Sequence, residues 1–254
     1  MADQYEQLDY AEIWHSENFR VWQPPGFLQA VEIDMTKSKV IVERLRESGI
    51  KGTYTHLFVR AVAIALTRHP ELHQLVAGTR RLYPERIDIC LSVAGKPSFA
   101  PPVMIIEDAG KKNLRELADE IITRTPEIKG KEPQAFPQFR KWGWLVPIGA
   151  VRRSILSFLW QQLWFRRNNG GTFAITCLPN VDVFASFTFT TSAIVSIGRV
   201  RDRVVAIDGQ PVVRPTVTIV CCADHKAWDG IRGATFLTEL NKILAEGELE
   251  AETT

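Results

Sequence analysis

Eight consecutive residues, Ala223-Asp224-His225-Lys226-Ala227-Trp228-Asp229-Gly230, place a proton-moving side chain at a strand-to-helix boundary. The β-branched run Thr216 to Val220 precedes them, and the amphipathic segment Ile231 to Leu244 follows. A histidine at such a corner can hold its ring rigidly while one nitrogen stays open to a cleft, as a general base requires. His225 is therefore the candidate catalytic residue. Two plainer readings stay open at this level: Asp229 directly precedes an apolar-periodic segment and can simply cap a helix, and an isolated histidine near a strand end can be structural.

The elements that must position this corner read as strands interleaved with helices. Phe27 to Met35 alternates like a strand, and Thr36 to Ser48 is a helix closed by Gly49. Thr55 can cap the next helix, where Phe58, Val62, Ala65 and Leu66 form a buried face until Pro70 stops it. Leu82 to Val93 reads as paired β structure and Val103 to Ile106 as a buried strand, after which Asn113 caps a helix carrying Leu114, Leu117 and Ile121 on one side. Gly171 to Cys177 and Ala185 to Thr190 read as further strands. Asp208-Gly209 marks the turn of a hairpin with arms Arg203 to Ile207 and Val212 to Val220. This alternation predicts an α/β domain.

Composition narrows the class. The chain has 254 residues, 45% hydrophobic, with a net charge of +2. That is enough for a sizeable core, and we read one domain from 27 to 245. Near-neutral charge gives no reason to expect a nucleic acid or an anionic membrane as partner. Cys90, Cys177, Cys221 and Cys222 lie in strand-like runs with no metal-ligand spacing, so no metal is expected, and reduced thiols fit a cytoplasmic protein. Met1 to Tyr10 lacks the pattern of a secretory leader, and no uninterrupted apolar run reaches membrane-spanning length. Residues 1–26 read as an arm in which Trp14, Phe19 and Trp22 are mixed with charges and Pro24-Pro25-Gly26 breaks any helix. Residues 246–254 are acidic and expected to fray.

One segment stands apart. Between about 126 and 169 lie Trp142, Trp144, Trp160 and Trp164, four of the seven tryptophans in the chain. From Ser154 to Arg167, bulky apolar residues (Ile155, Leu156, Phe158, Leu159, Leu163, Phe165) cover more than one helical face, flanked by Arg152, Arg153, Arg166 and Arg167. A buried helical lid, a subunit contact and a helix resting on a membrane surface all fit this pattern. Burial is the commonest fate of apolar helices, and long insertions near a cleft often set substrate choice.

The motif at 224–230 resembles the Asp-His-Arg-x-x-Asp-Gly signature of the catalytic domain of dihydrolipoamide acyltransferases, the core component of 2-oxo acid dehydrogenase complexes. It is similar also to the His-x-x-x-Asp-Gly of chloramphenicol acetyltransferase, of the same superfamily. Gly170-Gly171-Thr172-Phe173-Ala174-Ile175-Thr176, Ser196 to Arg203, Asp208-Gly209, Val213-Arg214-Pro215 and Phe236-Leu237-x-x-Leu240 follow the family in the same order. The resemblance covers most of 27–125 and 168–245, and the longer connection at 126–169 departs from it. It implies an α+β two-layer sandwich with a mixed sheet, the chloramphenicol acetyltransferase-like fold of CoA-dependent acyltransferases.

The resemblance also implies roles. His225 would be the base, and Thr176 would stand where relatives place a serine that donates to the tetrahedral oxyanion. Asp229 and Gly230 would hold the active-site loop, Gly230 by allowing close backbone approach, and Arg20 is the one arginine available in the N-terminal segment to pair with Asp229. The co-substrate would be a coenzyme A thioester, without a metal. Relatives are homotrimers with active sites between subunits, so a trimer is expected. No Asp-Lys-Ala lipoylation context is present, so no lipoyl group is expected on this chain. The Trp-rich segment favours a small apolar hydroxyl acceptor such as a natural-product intermediate. The alternatives are a catalytically silent trimeric scaffold and an acyltransferase component of a 2-oxo acid dehydrogenase-type system.

Overall fold

The structure, a computed structural model, describes residues 7–21, 23–24, 26–93, 101–129, 131, 135–187 and 190–253. Met1 to Glu6, Trp22, Pro25, residues 94–100, residues 130 and 132–134 of the Trp-rich segment, Thr188, Phe189 and Thr254 lie outside the described residues.

A mixed sheet of seven strands forms the frame. In spatial order it runs β1 (Gly26–Asp34), β9 (Gln210–Asp224), β7 (Ala193–Ile197), β6 (Phe173–Cys177), β4 (Ile89–Ser92) and β5 (Val103–Ile106), with β8 (Arg201–Ile207) pairing β9 as well. A separate hairpin joins β2 (Leu75–Ala77) to β3 (Arg80–Leu82). The period of two decides which residues meet the core. Along β9, Val217, Ile219, Cys221 and Ala223 point into one continuous apolar cluster, joined there by Val195 and Ile197 of β7, Phe173 and Ile175 of β6, and Ile89 and Leu91 of β4.

Helices α2 (Thr36–Glu47), α3 (Tyr54–Arg68), α4 (Leu114–Ile128) and α8 (Gly230–Glu246) complete that core through Ile41 and Leu45, Leu57 and Val62, Leu114 and Leu117, and Phe236 and Leu240. Helix ends follow local chemistry. Asn113 Oδ1 accepts the Glu116 amide at 2.9 Å while the Glu116 carboxylate accepts the Asn113 amide at 2.8 Å, a reciprocal cap. Helix α3 begins two residues before the position expected: Thr53, extended at φ −134°, is its cap, and Thr55 is already helical. At the β8–β9 turn Asp208 and Gly209 both have positive φ, 51° and 77°, as a tight hairpin requires.

Three expectations are corrected. Ala185 to Phe187 form no strand; the Ser186 amide donates instead to the Ser196 side chain at 2.8 Å, so it is taken from any ladder. Leu82 to Val93 holds the last residue of β3 and all of β4 rather than one continuous pairing. The acidic tail does not fray over 246–253: it forms a 3-10 helix, Glu248–Thr253. There Leu249 is buried, and Glu252 binds Arg60 at 2.7 Å and caps the Leu114 amide at 2.8 Å.

The N-terminal arm and the Trp-rich segment pack together, off the main core. Helix α1 (Tyr10–Val21) lies along α5 (Ala135–Trp142) and α6 (Gly149–Trp160), with Trp14, Leu156 and Trp160 forming a small cluster. Glu17, buried in α1, faces Arg152 at 3.6 Å and Arg153 at 3.2 Å. Ile148, Val151, Ile155 and Phe158, spaced at helical intervals, remain exposed, so the segment is buried on one side only. No helix among the described residues is long and apolar enough to cross a membrane.

Two buried histidines tie the core to acid stability. His56 Nδ1 accepts the Thr53 amide at 3.2 Å, and His73 Nε2 lies 2.7 Å from Thr172 Oγ1. Burial lowers both to about 4 from 6.5. Because the unfolded chain takes up these protons near pH 6.5 and the folded chain does not until near 4, stability is intact above 6.5 and is lost as the pH falls through that window. Each histidine is expected to contribute about 3 kcal/mol to that loss. Urea unfolding at pH 7.5 and pH 4.5 checks this, since His56→Gln and His73→Gln should each flatten the dependence; an unaltered slope in both would contradict it.

Candidate active site

His225 opens the turn between β9 and α8, and the backbone leaves it little freedom. The Asp224 amide donates to the Ser192 carbonyl at 2.8 Å, the last rung on that side of β9. The Asp224 carbonyl then accepts the amides of Ala227 at 2.9 Å and Trp228 at 3.0 Å, while its carboxylate accepts the Lys226 amide at 3.0 Å. One residue thereby ends the strand and shapes the turn, a local side-chain-to-backbone pattern that aspartate favours.

The underside of the turn is fastened as firmly. Trp228 is buried, with Phe236 and Phe173 at 5.3 and 6.2 Å between ring centroids, and its indole N–H donates to the Leu72 carbonyl at 2.9 Å. Gln74 Nε2 donates to the Ala227 carbonyl at 2.7 Å. His225 itself is exposed and leans on Phe27, 5.1 Å between ring centroids. The result is a solvent-reachable imidazole on an over-determined backbone.

Asp229 performs the cap that its position suggested: its Oδ1 accepts the Arg232 amide at 2.8 Å. That hydrogen bond holds the exposed carboxyl below the usual carboxylate range. Arg20 lies exposed on α1 and makes no ion pair with Asp229 among the described residues. Close approach falls at Gly233 rather than Gly230. A Cβ at Gly230 would meet nothing nearer than 3.7 Å, whereas at Gly233 it would lie 2.1 Å from Gln29 Oε1 and 3.1 Å from the Phe27 ring.

Thr176 sits on β6 with its side chain on the face away from the main core, and the residue is 8% exposed. Its hydroxyl makes no hydrogen bond to another described residue and is free to donate. The strand is delivered by Gly170-Gly171-Thr172. Gly171 has φ +64°, and a Cβ there would stand 2.4 Å from the Asp88 carbonyl oxygen, so only glycine fits. Thr172 Oγ1 then accepts the Asp88 amide at 2.9 Å, and Asp88 is held by Arg167 at 3.1 Å.

Within one chain the two hydroxyl and imidazole groups are far apart. Thr176 pairs with Ser196 and Ser196 with Val220, so His225 lies two strands away and five residues further along β9. At about 3.3 Å per residue and 4.8 Å per strand that is on the order of 19 Å. β6 runs parallel to β7 and antiparallel in sense to β9, which puts the two groups at opposite ends of the sheet.

Sequence reasoning missed Arg166. Its place in the sequence is among the arginines flanking an apolar helix, yet its side chain is wholly buried against the carbonyls of Val76, Thr190 and Thr191. Its interruption of an otherwise apolar stretch was the only trace of this in the sequence.

A family model described as 2-oxoacid dehydrogenases acyltransferase (catalytic domain) matches residues 20–132 and 161–250. The dihydrolipoyllysine-residue succinyltransferase component of the 2-oxoglutarate dehydrogenase complex of Haemophilus influenzae is 24% identical over 219 residues, covering 84% of this chain and 45% of that protein. The chain thus spans about half the length of the curated relatives it matches. Among solved structures, the dihydrolipoamide acetyltransferase of Azotobacter vinelandii superposes with a TM-score of 0.70 at 19% identity, covering 96% of this chain and 92% of that one. A chloramphenicol acetyltransferase superposes with a TM-score of 0.54 at 13% identity, covering 96% and 99%. The fold is therefore the one expected from the resemblance.

The two glycines make a paired test. Gly171→Ala is expected to lower stability by about 1–3 kcal/mol through its positive φ, with a further loss from the carbonyl clash. Gly230→Ala should stay within about 0.5 kcal/mol. Thermal unfolding of both variants decides, and equal midpoints would contradict the geometry.

Proposed function

Because the chain belongs to the 2-oxoacid dehydrogenases acyltransferase (catalytic domain) family, we propose that it transfers an acyl group between coenzyme A and a thiol acceptor, with His225 as general base and Thr176 as oxyanion donor. The observation that carries this reading is the exposed imidazole on a turn fixed from both sides. In the Azotobacter vinelandii protein a serine, a histidine and an asparagine four residues after it were examined for roles in the catalytic mechanism. Here the corresponding types are Thr176, His225 and Asp229, which keep the hydroxyl, the imidazole and a side-chain oxygen.

The acceptor inferred from the Trp-rich segment gives way to a dihydrolipoyl thiol, the group that the relatives' names contain. Within one chain the Trp-rich segment gives no support to an apolar acceptor. Trp160 packs with Trp14 and bonds Asn18 at 3.0 Å, and Trp142, Trp144 and Trp164 face outward, so none of the four lines the His225 turn. The lipoyl group would be carried elsewhere than on the residues described.

The chemistry follows from the two side chains. His225 takes the proton of the incoming thiol, and the thiolate attacks the thioester carbonyl. The tetrahedral oxyanion accepts the Thr176 hydroxyl proton as a hydrogen bond. Collapse breaks the old C–S bond, and the leaving thiolate recovers the proton from the imidazolium. Since one chain holds these groups at opposite ends of its sheet, the reacting carbonyl sits between two copies, His225 from one and Thr176 from the next. A cyclic homotrimer satisfies that geometry.

Formation of S-acyl-dihydrolipoamide from acetyl- or succinyl-CoA, followed by mass spectrometry, tests the reading. His225→Ala should lower the rate by about 10²–10⁴-fold and Thr176→Ala by about 10²-fold, with Thr176→Ser near wild type. Unfolding and reassembling the two inactive variants together should restore about a quarter of the sites, because each site draws on two chains. Transfer by His225→Ala at the wild-type rate would refute the enzyme, and no recovery on mixing would refute the shared site.

A further inference from the structure

We propose that Arg166 is the positioning residue of His225: from α7 (Leu163–Gly170) its buried guanidinium clamps the two segments that hold the histidine turn and supplies the positive charge facing Asp224. This rests on the reading of His225 as the base. The side chain has 0% exposure, exceptional for an arginine. Each of its three nitrogens reaches a backbone carbonyl. Nε reaches the Thr190 carbonyl at 2.9 Å, Nη2 the Thr191 carbonyl at 3.2 Å, and Nη1 the Val76 carbonyl.

Each of those carbonyls adjoins an anchor of the turn. Thr190 and Thr191 lead into Ser192, whose carbonyl receives the Asp224 amide. Val76 follows Gln74 by two residues, and Gln74 holds the Ala227 carbonyl. One planar group thus ties together the segments that fasten the residue before His225 and the second residue after it, a task suited to the rigid fork of arginine. The last residue of α7 is locked on the same segment, for a Cβ at Gly170 would fall 1.8 Å from Thr190 Oγ1.

Charge completes the case. Asp224 is also 0% exposed, and its Oδ2 is buried with no hydrogen-bond partner among the described residues. A buried carboxylate with an unsatisfied oxygen is stable only beside a compensating cation. Arg166 supplies that charge at longer range, with no ion pair between the two side chains among the described residues: burial lowers its pKa to about 10, the Asp224 charge opposes the fall, and it stays protonated at neutral pH. The other charged groups around the turn are Lys226 on it, Arg81 of β3 bonded to the Lys226 carbonyl at 3.4 Å, and Asp229 and Arg232 of α8. Among these, Arg166 is the buried cation.

The test reads the imidazole directly. In Arg166→Met the unopposed Asp224 charge should favour the imidazolium, so the His225 C2 proton titration, followed by NMR, moves up by about half a unit or more. kcat should fall at least about tenfold with the KM for acyl-CoA unchanged. Adding Asp224→Asn should return the titration toward wild type and restore lost thermal stability, a relief that a packing role would not give. If Arg166→Met does not fold, recovery of folding in R166M/D224N supports the proposal and failure of that pair to fold overturns it. A wild-type His225 titration in folded Arg166→Met also overturns it. The titration needs no substrate, so a failure of acyl transfer in the wild-type chain would sink the function while leaving this result readable.

Discussion

The architecture of the site depends on one ladder of backbone hydrogen bonds, that of β9. Its fifteen residues pair with β1 along nine positions and with β7 and β8 on the other side. Because three strands share it, β9 cannot shift register without moving every core-facing residue to the opposite face. The end of the ladder is therefore a fixed point in space. Asp224 stops it there by diverting its carbonyl and carboxylate to the next turn, and the following side chain inherits a defined position.

In the proposed reaction the two ends of the sheet carry different halves of the chemistry. At one end the chain offers an imidazole, and at the other a hydroxyl beyond a glycine corner that no other residue could form. A site assembled from opposite ends of two copies, as proposed, would make activity and assembly a single property.

Much of this was legible in the sequence where local chemistry decides structure. Asn113, Asp208-Gly209 and Asp229 before an apolar run each specify a cap or a turn within four residues, and each forms in the structure, Glu116 adding a reciprocal bond to the Asn113 cap. What escaped were outcomes decided by partners distant in the chain. Ala185 to Phe187 have strand-like composition, yet Ser196, ten residues after Ser186, captures a backbone amide. The tail looked like a solvated acidic end, but Arg60, 192 residues before Glu252, gives it an anchor. Arg166 reads only as one of four arginines flanking an apolar segment, because nothing nearby in the sequence announces the three carbonyls it meets. Thr176 and His225 were both nameable from motifs, but the span between them emerged only from sheet register.

The four cysteines, all free and all in strands, acquire a meaning if the substrates are the thiols proposed. Burial pushes the Cys90 and Cys177 thiols up to about 12, and Cys221 higher still. At neutral pH only about one in 10⁵ such groups is a thiolate, the form that exchanges with disulfides. Oxidised coenzyme A or lipoamide would thus find almost no reactive sulfur on Cys90, Cys177 or Cys221. For these three cysteines the sheet would act as redox insulation, leaving the traffic of sulfur to the proposed substrates.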